Sequence, residues 1–151
     1  MIKPGDVFEI STGKGEAYFQ CVSKNKEMGW AIRILPGTYP VGYAGLDALI
    51  EKAINFWIFF PVAAALKAKI IRKIGSYDVP SHSKQMPLFR AGVVDPQTRK
   101  VENWWLWDGE KSWMVGEITA EQRKLPIKGI WNDTLLIQRI EEGWLPEKDL
   151  R

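Results

Sequence analysis

The segment from Asn103 to Val115, Asn-Trp-Trp-Leu-Trp-Asp-Gly-Glu-Lys-Ser-Trp-Met-Val, is the stretch that most narrows what this chain can become. It carries four of the eight tryptophans around an Asp-Gly pair, whose tolerance of positive φ suits a tight β-hairpin. Side chains alternate along a strand, so Trp104, Leu106, Trp113 and Val115 share one face, and Trp105, Trp107, Ser112 and Met114 the other. The division is the same whether the loop is Asp108-Gly109 alone or runs from Asp108 to Lys111. One face can enter a core, while the other must be covered by another element or offered to a partner. The expectation is that Trp104, Leu106 and Trp113 line the core, and that Trp105 and Trp107 either lie nearer a partner surface or are covered by a helix such as Thr134 to Glu142.

The rest of the chain is read in the same way. Val7 to Ile10 and Tyr18 to Val22 are β-favouring runs separated by the turn Ser11 to Glu16, and Trp30 to Leu35 follows a second polar turn, giving three antiparallel strands. In the second of them Ala17, Phe19 and Cys21 share a face, which makes Cys21 a core side chain. Leu46, Leu49, Ile50 and Ala53 recur at helical spacing. Ile54 to Phe60 is nearly all apolar, as in a strand covered on both faces, and Pro61 both ends it and starts a short alanine-rich helix to Lys69. A strand resumes at Ile70 to Ile74, and Gly75 to Pro87 is a loop that holds the single histidine, His82. Phe89 to Val94, the Asp95-Pro96-Gln97-Thr98 turn and Val101 to Trp107 form a hairpin that leads into the aromatic one, a three-stranded meander. Thr119 caps a short helix through Arg123. Asn132 or Asp133 caps a further segment from Thr134 to Glu142 that Gly143 closes as a helix, although Leu135-Leu136-Ile137 also suits a strand.

A chain of 151 residues can bury roughly 70% of its unfolded surface and needs no disulfide or metal to fold, so one domain spanning 1–151 is expected. Hydrophobic residues at 46% and charged residues at 26% fit a soluble globular protein. The longest apolar run, Ile54 to Leu66, is shorter than the roughly 17 to 25 residues of a spanning helix and contains Asn55 and Pro61. With no apolar leader at Met1 to Asp6 and a single cysteine, a reducing cytoplasm is the expected location. The net charge of +3 is uneven: residues 67 to 100 carry eight Lys and Arg against Asp78 and Asp95, whereas residues 101 to 151 carry ten acids against seven bases. Surface charge is commonly just solvated, and the acids Glu102, Asp108 and Glu110 that border the aromatic strands repel phosphate, which argues against nucleic acid as the partner.

Candidate chemistry is sparse. One histidine and one cysteine supply neither a zinc ligand set nor a Cys-His nucleophile pair, so no metal and no cofactor is expected. Ser81-His82-Ser83 sits in a loop without an acidic orienter. Thr12-Gly13-Lys14-Gly15 has phosphate-loop residue types without the phosphate-loop spacing, and reads as a turn. Glu9 with Glu16, or Glu110 with Glu117, would act as paired carboxylates only if the fold brought them into one cleft and set their pKa values apart. No catalytic residue emerges, and the chain is expected not to be an enzyme.

Several blocks, in order, resemble one family: Lys3-Pro4-Gly5-Asp6-Val7-Phe8, Pro87-Leu88-Phe89-Arg90-Ala91-Gly92-Val93, Trp104-Trp105-Leu106-Trp107-Asp108-Gly109, and Trp131 to Gly143 with Arg139. The family is that of immunity protein 26 from bacterial polymorphic toxin systems. The resemblance spans almost the whole chain and implies a mostly β, cytoplasmic protein that binds and neutralises a cognate toxin protein. The fold expected is α+β and mostly β, built of antiparallel meanders with a few short helices, and the opening meander resembles a small, partly open SH3-like barrel. Trp105, Trp107, Asp108, Glu110 and Arg90 are the expected partner-binding residues, as aromatic and arginine anchors within a polar rim. The competing function is a small SH3-like nucleic-acid-binding module with a housekeeping role, and a third is a small enzyme using scattered carboxylates.

Overall fold

A computed structural model describes all 151 residues. The fold is mostly β, with two antiparallel sheets, and the chain divides into two compact units: residues 1–86 with 129–143, and residues 87–128 with 144–151. No helix is long and apolar enough to cross a membrane.

The larger unit is built on a five-stranded sheet in the order β4-β3-β2-β1-β5. Its strands are β1 (Asp6–Thr12), β2 (Gly15–Asn25), β3 (Gly29–Ile34), β4 (Phe56–Phe60) and β5 (Ile71–Ser76). The edge strands β4 and β5 do not pair with each other, so the sheet stays open. The turns expected between β1, β2 and β3 are present, and β2 at the centre is buried from Glu16 to Val22. Cross-strand pairing puts Phe8 opposite Phe19, with ring centres 5.6 Å apart, and Phe60 meets Phe19 edge-on at 5.7 Å. Cys21 lies on this face, fully buried, and burial pushes its thiol pKa well up, which suppresses the reactive thiolate.

On the other face Val7, Tyr18 and Leu35 meet α1 (Leu46–Glu51) through Leu46, Leu49 and Ile50. The helix is shorter than its apolar spacing suggested, and Ala53 lies beyond its end, exposed. A charged residue is built into this core. Arg33 on β3 is fully buried; its Nε donates to Gln20 Oε1 at 2.8 Å and its Nη2 to the Ile50 carbonyl at 2.7 Å. Burial pulls its pKa down to about 10.

Pro61, which cannot donate to the sheet, ends β4 and leads into α2 (Val62–Lys67), which packs on β5. The segment from 134 to 142, open between helix and strand in sequence, is α3 (Asp133–Glu142), packed against β1 through Leu136. Its ends explain the outcome. The Asn132 side chain accepts a hydrogen bond from the Leu135 N–H at 2.8 Å, and Gly143 adopts φ +67 at the other end.

The smaller unit holds the meander, with strand order β6-β7-β8: β6 (Phe89–Ala91), β7 (Trp104–Trp107) and β8 (Ser112–Gly116). The first hairpin is less regular than expected, since beyond Ala91 only Val94 and Val101 still pair. Residues 119 to 124 form a 3-10 turn at 122–124 in place of a helix from Thr119 to Arg123. Thr119 precedes it and exchanges hydrogen bonds with its first residue: Thr119 Oγ1 accepts from the Gln122 N–H at 3.1 Å, and Gln122 Oε1 accepts from the Thr119 N–H at 2.9 Å.

Candidate functional site

The aromatic hairpin follows the expected register, with Trp105 opposite Met114, Leu106 opposite Trp113 and Trp107 opposite Ser112. This fixes the loop as the four residues Asp108 to Lys111. Asp108 organises it: its N–H donates to the Lys111 carbonyl at 3.1 Å, and its Oδ1 accepts from the N–H groups of Glu110 at 2.9 Å and Lys111 at 2.8 Å. Those two donated hydrogen bonds hold its carboxyl below the usual Asp range. Gly109 takes φ +106, a value a side chain resists. A bulge between Met114 and Gly116 leaves Val115 without an opposite residue.

Parity placed the side chains on the right faces, but which face is covered differs along the hairpin. Trp104 and Leu106 are buried as expected, and Trp105 is 41% exposed beside Met114 at 60%. Two assignments are corrected. Trp113, expected in the core, is 41% exposed, because β8 is the outer strand and only β7 flanks it. Trp107, expected near a partner, is only 3% exposed. Phe89 packs edge-on against its ring at 5.8 Å, and the Lys128 amine sits 4.3 Å from the ring centre.

Arg90 also leaves the set of surface anchors. It is fully buried, with Nη2 donating to the carbonyls of Pro146 at 2.7 Å and Arg123 at 3.3 Å, and Nε donating to that of Leu125 at 3.3 Å. Its guanidinium carbon lies 4.5 Å from the centre of the Trp104 ring. Desolvation is the chief cause of a pKa lowered to about 10, and the neighbouring Arg123 charge adds to it. Its role is to tie the meander to the segments at 123–126 and 146.

Trp105 and Trp107 line an open groove of about 720 Å³, whose other walls come from the turn at Val93, Val94, Asp95 and Pro96 and from Glu102, Asn103 and Lys128. Part of the lining is apolar and exposed, with Val93, Val94 and Trp105 all open to solvent. Asp108 and Glu110 are exposed in the hairpin loop and do not line the groove. Sequence reasoning missed Asp95 and Glu102 as site residues, although the expected hairpin between Phe89–Val94 and Val101–Trp107 already brought their neighbours together. Lys128 had no local signal.

The other candidate groups are engaged or dispersed. Glu9 Oε1 accepts from Arg72 Nη2 and Glu9 Oε2 from the Tyr18 hydroxyl, each at 2.8 Å, while Glu16 accepts from Ser11 Oγ. Tyr18 is pushed to a much higher pKa by burial and by that carboxylate. His82 is exposed, with Nε2 3.1 Å from the Glu51 carbonyl and Nδ1 2.8 Å from Ser83 Oγ; neither contact is to a carboxylate. Glu110 and Glu117 are both exposed. No group of three or more His, Cys, Asp or Glu is arranged to hold a metal ion.

Compared with protein-family models, with curated proteins and with solved structures, the chain matches none.

Proposed function

We propose that this protein acts by stoichiometric binding to another protein, as an immunity protein that neutralises a cognate bacterial toxin, and that its recognition surface is the Trp105 face of the meander. The observation that carries this reading is the placement of Trp105. A large aromatic ring stays 41% exposed beside Met114 on a short antiparallel sheet whose opposite side is anchored by buried Trp104 and Leu106. Exposed, contiguous apolar side chains on a rigid support are what a protein interface uses as anchors. The groove walls add a polar rim through Asp95, Glu102 and Asn103.

The sequence blocks that resemble the immunity protein 26 family supply the kind of partner, a toxin. The alternative, a nucleic-acid-binding module, is weakened by the fate of the basic stretch. Arg90 is buried, Arg72 is paired with Glu9 at 2.8 Å and Lys73 with Asp6 at 3.3 Å, so fewer cations are left free for phosphates than the count suggested.

The test is co-expression with the product of the adjacent gene. A stable equimolar complex that suppresses the toxicity of that product, and that is lost on Trp105→Ala, supports the reading. Salt-sensitive submicromolar binding to DNA or RNA without such a complex would replace it with the alternative.

A further inference from the structure

The two buried tryptophans of β7 each hold a cation from this same chain over the ring: Arg90 over Trp104 at 4.5 Å, and Lys128 over Trp107 at 4.3 Å. Trp105, between them in sequence and on the same face as Trp107, has no such cation and remains open to solvent. Two carboxylates share its groove. Glu102 makes no ion pair or hydrogen bond, and Asp95 uses Oδ1 to hold its own turn, accepting from the N–H groups of Gln97 at 2.7 Å and Thr98 at 3.2 Å, while Oδ2 is uncommitted. The single cation in the groove, Lys128, lies over the Trp107 ring and is outnumbered by the two carboxylates.

We propose that this groove receives an arginine side chain of the protein partner, stacked on the Trp105 indole and paired with Glu102 and Asp95. The assignment rests on the reading above, that the Trp105 face recognises a protein, and names the chemistry that would dock there. Three properties of the groove select arginine. An indole face attracts a cation through its quadrupole, most strongly when water is partly excluded. A guanidinium is planar and weakly hydrated, so it can stack and still donate in-plane to a carboxylate, which an ammonium does less well. The apolar wall at Val93, Val94 and Pro96 would cover the three-methylene stem. A carboxylate or phosphate is disfavoured, since Glu102 and Asp95 outnumber the one cation in the lining, Lys128.

The experiment uses the full chain and four blocked tripeptides, Gly-Arg-Gly, Gly-Lys-Gly, Gly-Leu-Gly and Gly-Glu-Gly, followed by the NMR signal of the Trp105 indole N–H, assigned with Trp105→Phe. The Arg peptide should shift that signal saturably and bind best, the Lys peptide several-fold more weakly, and the Glu peptide not at all. Glu102→Gln should weaken the Arg peptide by roughly tenfold, the loss of one charge-assisted contact, and leave the Leu peptide unchanged. Leu binding as well as Arg, indifference of the Arg peptide to Glu102→Gln, or no saturable shift with any peptide would each overturn the proposal. Those outcomes leave the recognition face standing if Trp105→Ala still abolishes capture of the adjacent gene product. Capture that survives Trp105→Ala removes the face as the recognition surface, and with it the partner's arginine.

Discussion

Arg90 and Trp104 form a buried cation–ring pair, 4.5 Å from guanidinium carbon to ring centre, with no carboxylate in ion-pair contact with the arginine. The charge is held by three backbone carbonyls and an aromatic face, and Nη1 makes no hydrogen bond. Arg90→Met should therefore strand the carbonyls of Leu125, Arg123 and Pro146 and cost about 3 kcal/mol, a fall in Tm of roughly 6 to 12 °C for a chain of this size. Arg90→Lys should rescue little, because one amine cannot reach all three carbonyls and lacks a planar face for the ring. A melt of Arg90→Met within a degree or two of the parent would contradict this.

The four tryptophans of the aromatic hairpin separate into two pairs by burial, Trp104 with Trp107 and Trp105 with Trp113. Trp104→Ala and Trp107→Ala should each cost about 3 to 5 kcal/mol through the lost ring and the cavity left behind. Trp105→Ala and Trp113→Ala should each cost under about 1 kcal/mol. Partner binding distinguishes the second pair, with Trp105→Ala losing about 2 kcal/mol or more and Trp113→Ala, on the opposite face, losing little. Thermal melts and titrations of the four single variants check both statements.

Asp108 links the hairpin loop to pH. Its folded-state pKa lies below that of the unfolded chain because the charged form accepts two backbone hydrogen bonds. Its contribution is thus complete above the ordinary Asp value of about 3.9 and is lost as pH falls through the lower folded value. Amide exchange at Glu110 and Lys111 should quicken in that acid window before the larger unit responds, and Asp108→Ala should bring the quickening to neutral pH. Exchange that does not change on Asp108→Ala would show that the loop holds itself by other means.

Asn132→Ala removes the only side-chain cap of α3 and should cost about 1 kcal/mol, whereas Asn132→Asp should retain the cap and add a charge favoured at that helix end. Gly143→Ala, at φ +67, should cost a further 1 kcal/mol or so. Urea melts resolve both, and additivity in the double variant is expected because the ten-residue helix α3 separates the two caps.

Much of the fold was legible because it depends on local rules. Strand alternation, the Asp-Gly turn, Pro61 at a strand end, and the Asn132 and Gly143 caps are all short-range effects, and the hairpin register followed from them. Coverage is not local. Parity assigned Trp107 and Trp113 to faces, but Trp107 is buried by Phe89 and Lys128, and Trp113 is exposed because β8 is outermost; neither fact is written near those residues. Arg90, read as a surface anchor, misleads for the same reason, since its carbonyl acceptors at Leu125, Arg123 and Pro146 lie far along the chain. The groove was half visible, through the tryptophans, while Asp95 and Glu102 looked like ordinary turn and rim acids.

The chain leaves the larger unit at Met86, runs through the meander to Lys128, returns for 129–143 and then gives 144–151 to the smaller unit. On the ribosome, where folding follows the order of synthesis, neither unit is finished when its own strands have emerged. A nascent chain that has reached Lys128 has every strand of both sheets, yet β1 still lacks α3 and Arg90 still lacks the Pro146 carbonyl. Completion of both units waits on residues 129–151, so a premature stop after the meander would leave the aromatic hairpin synthesised in full but without the buried arginine's acceptor at Pro146 to hold it.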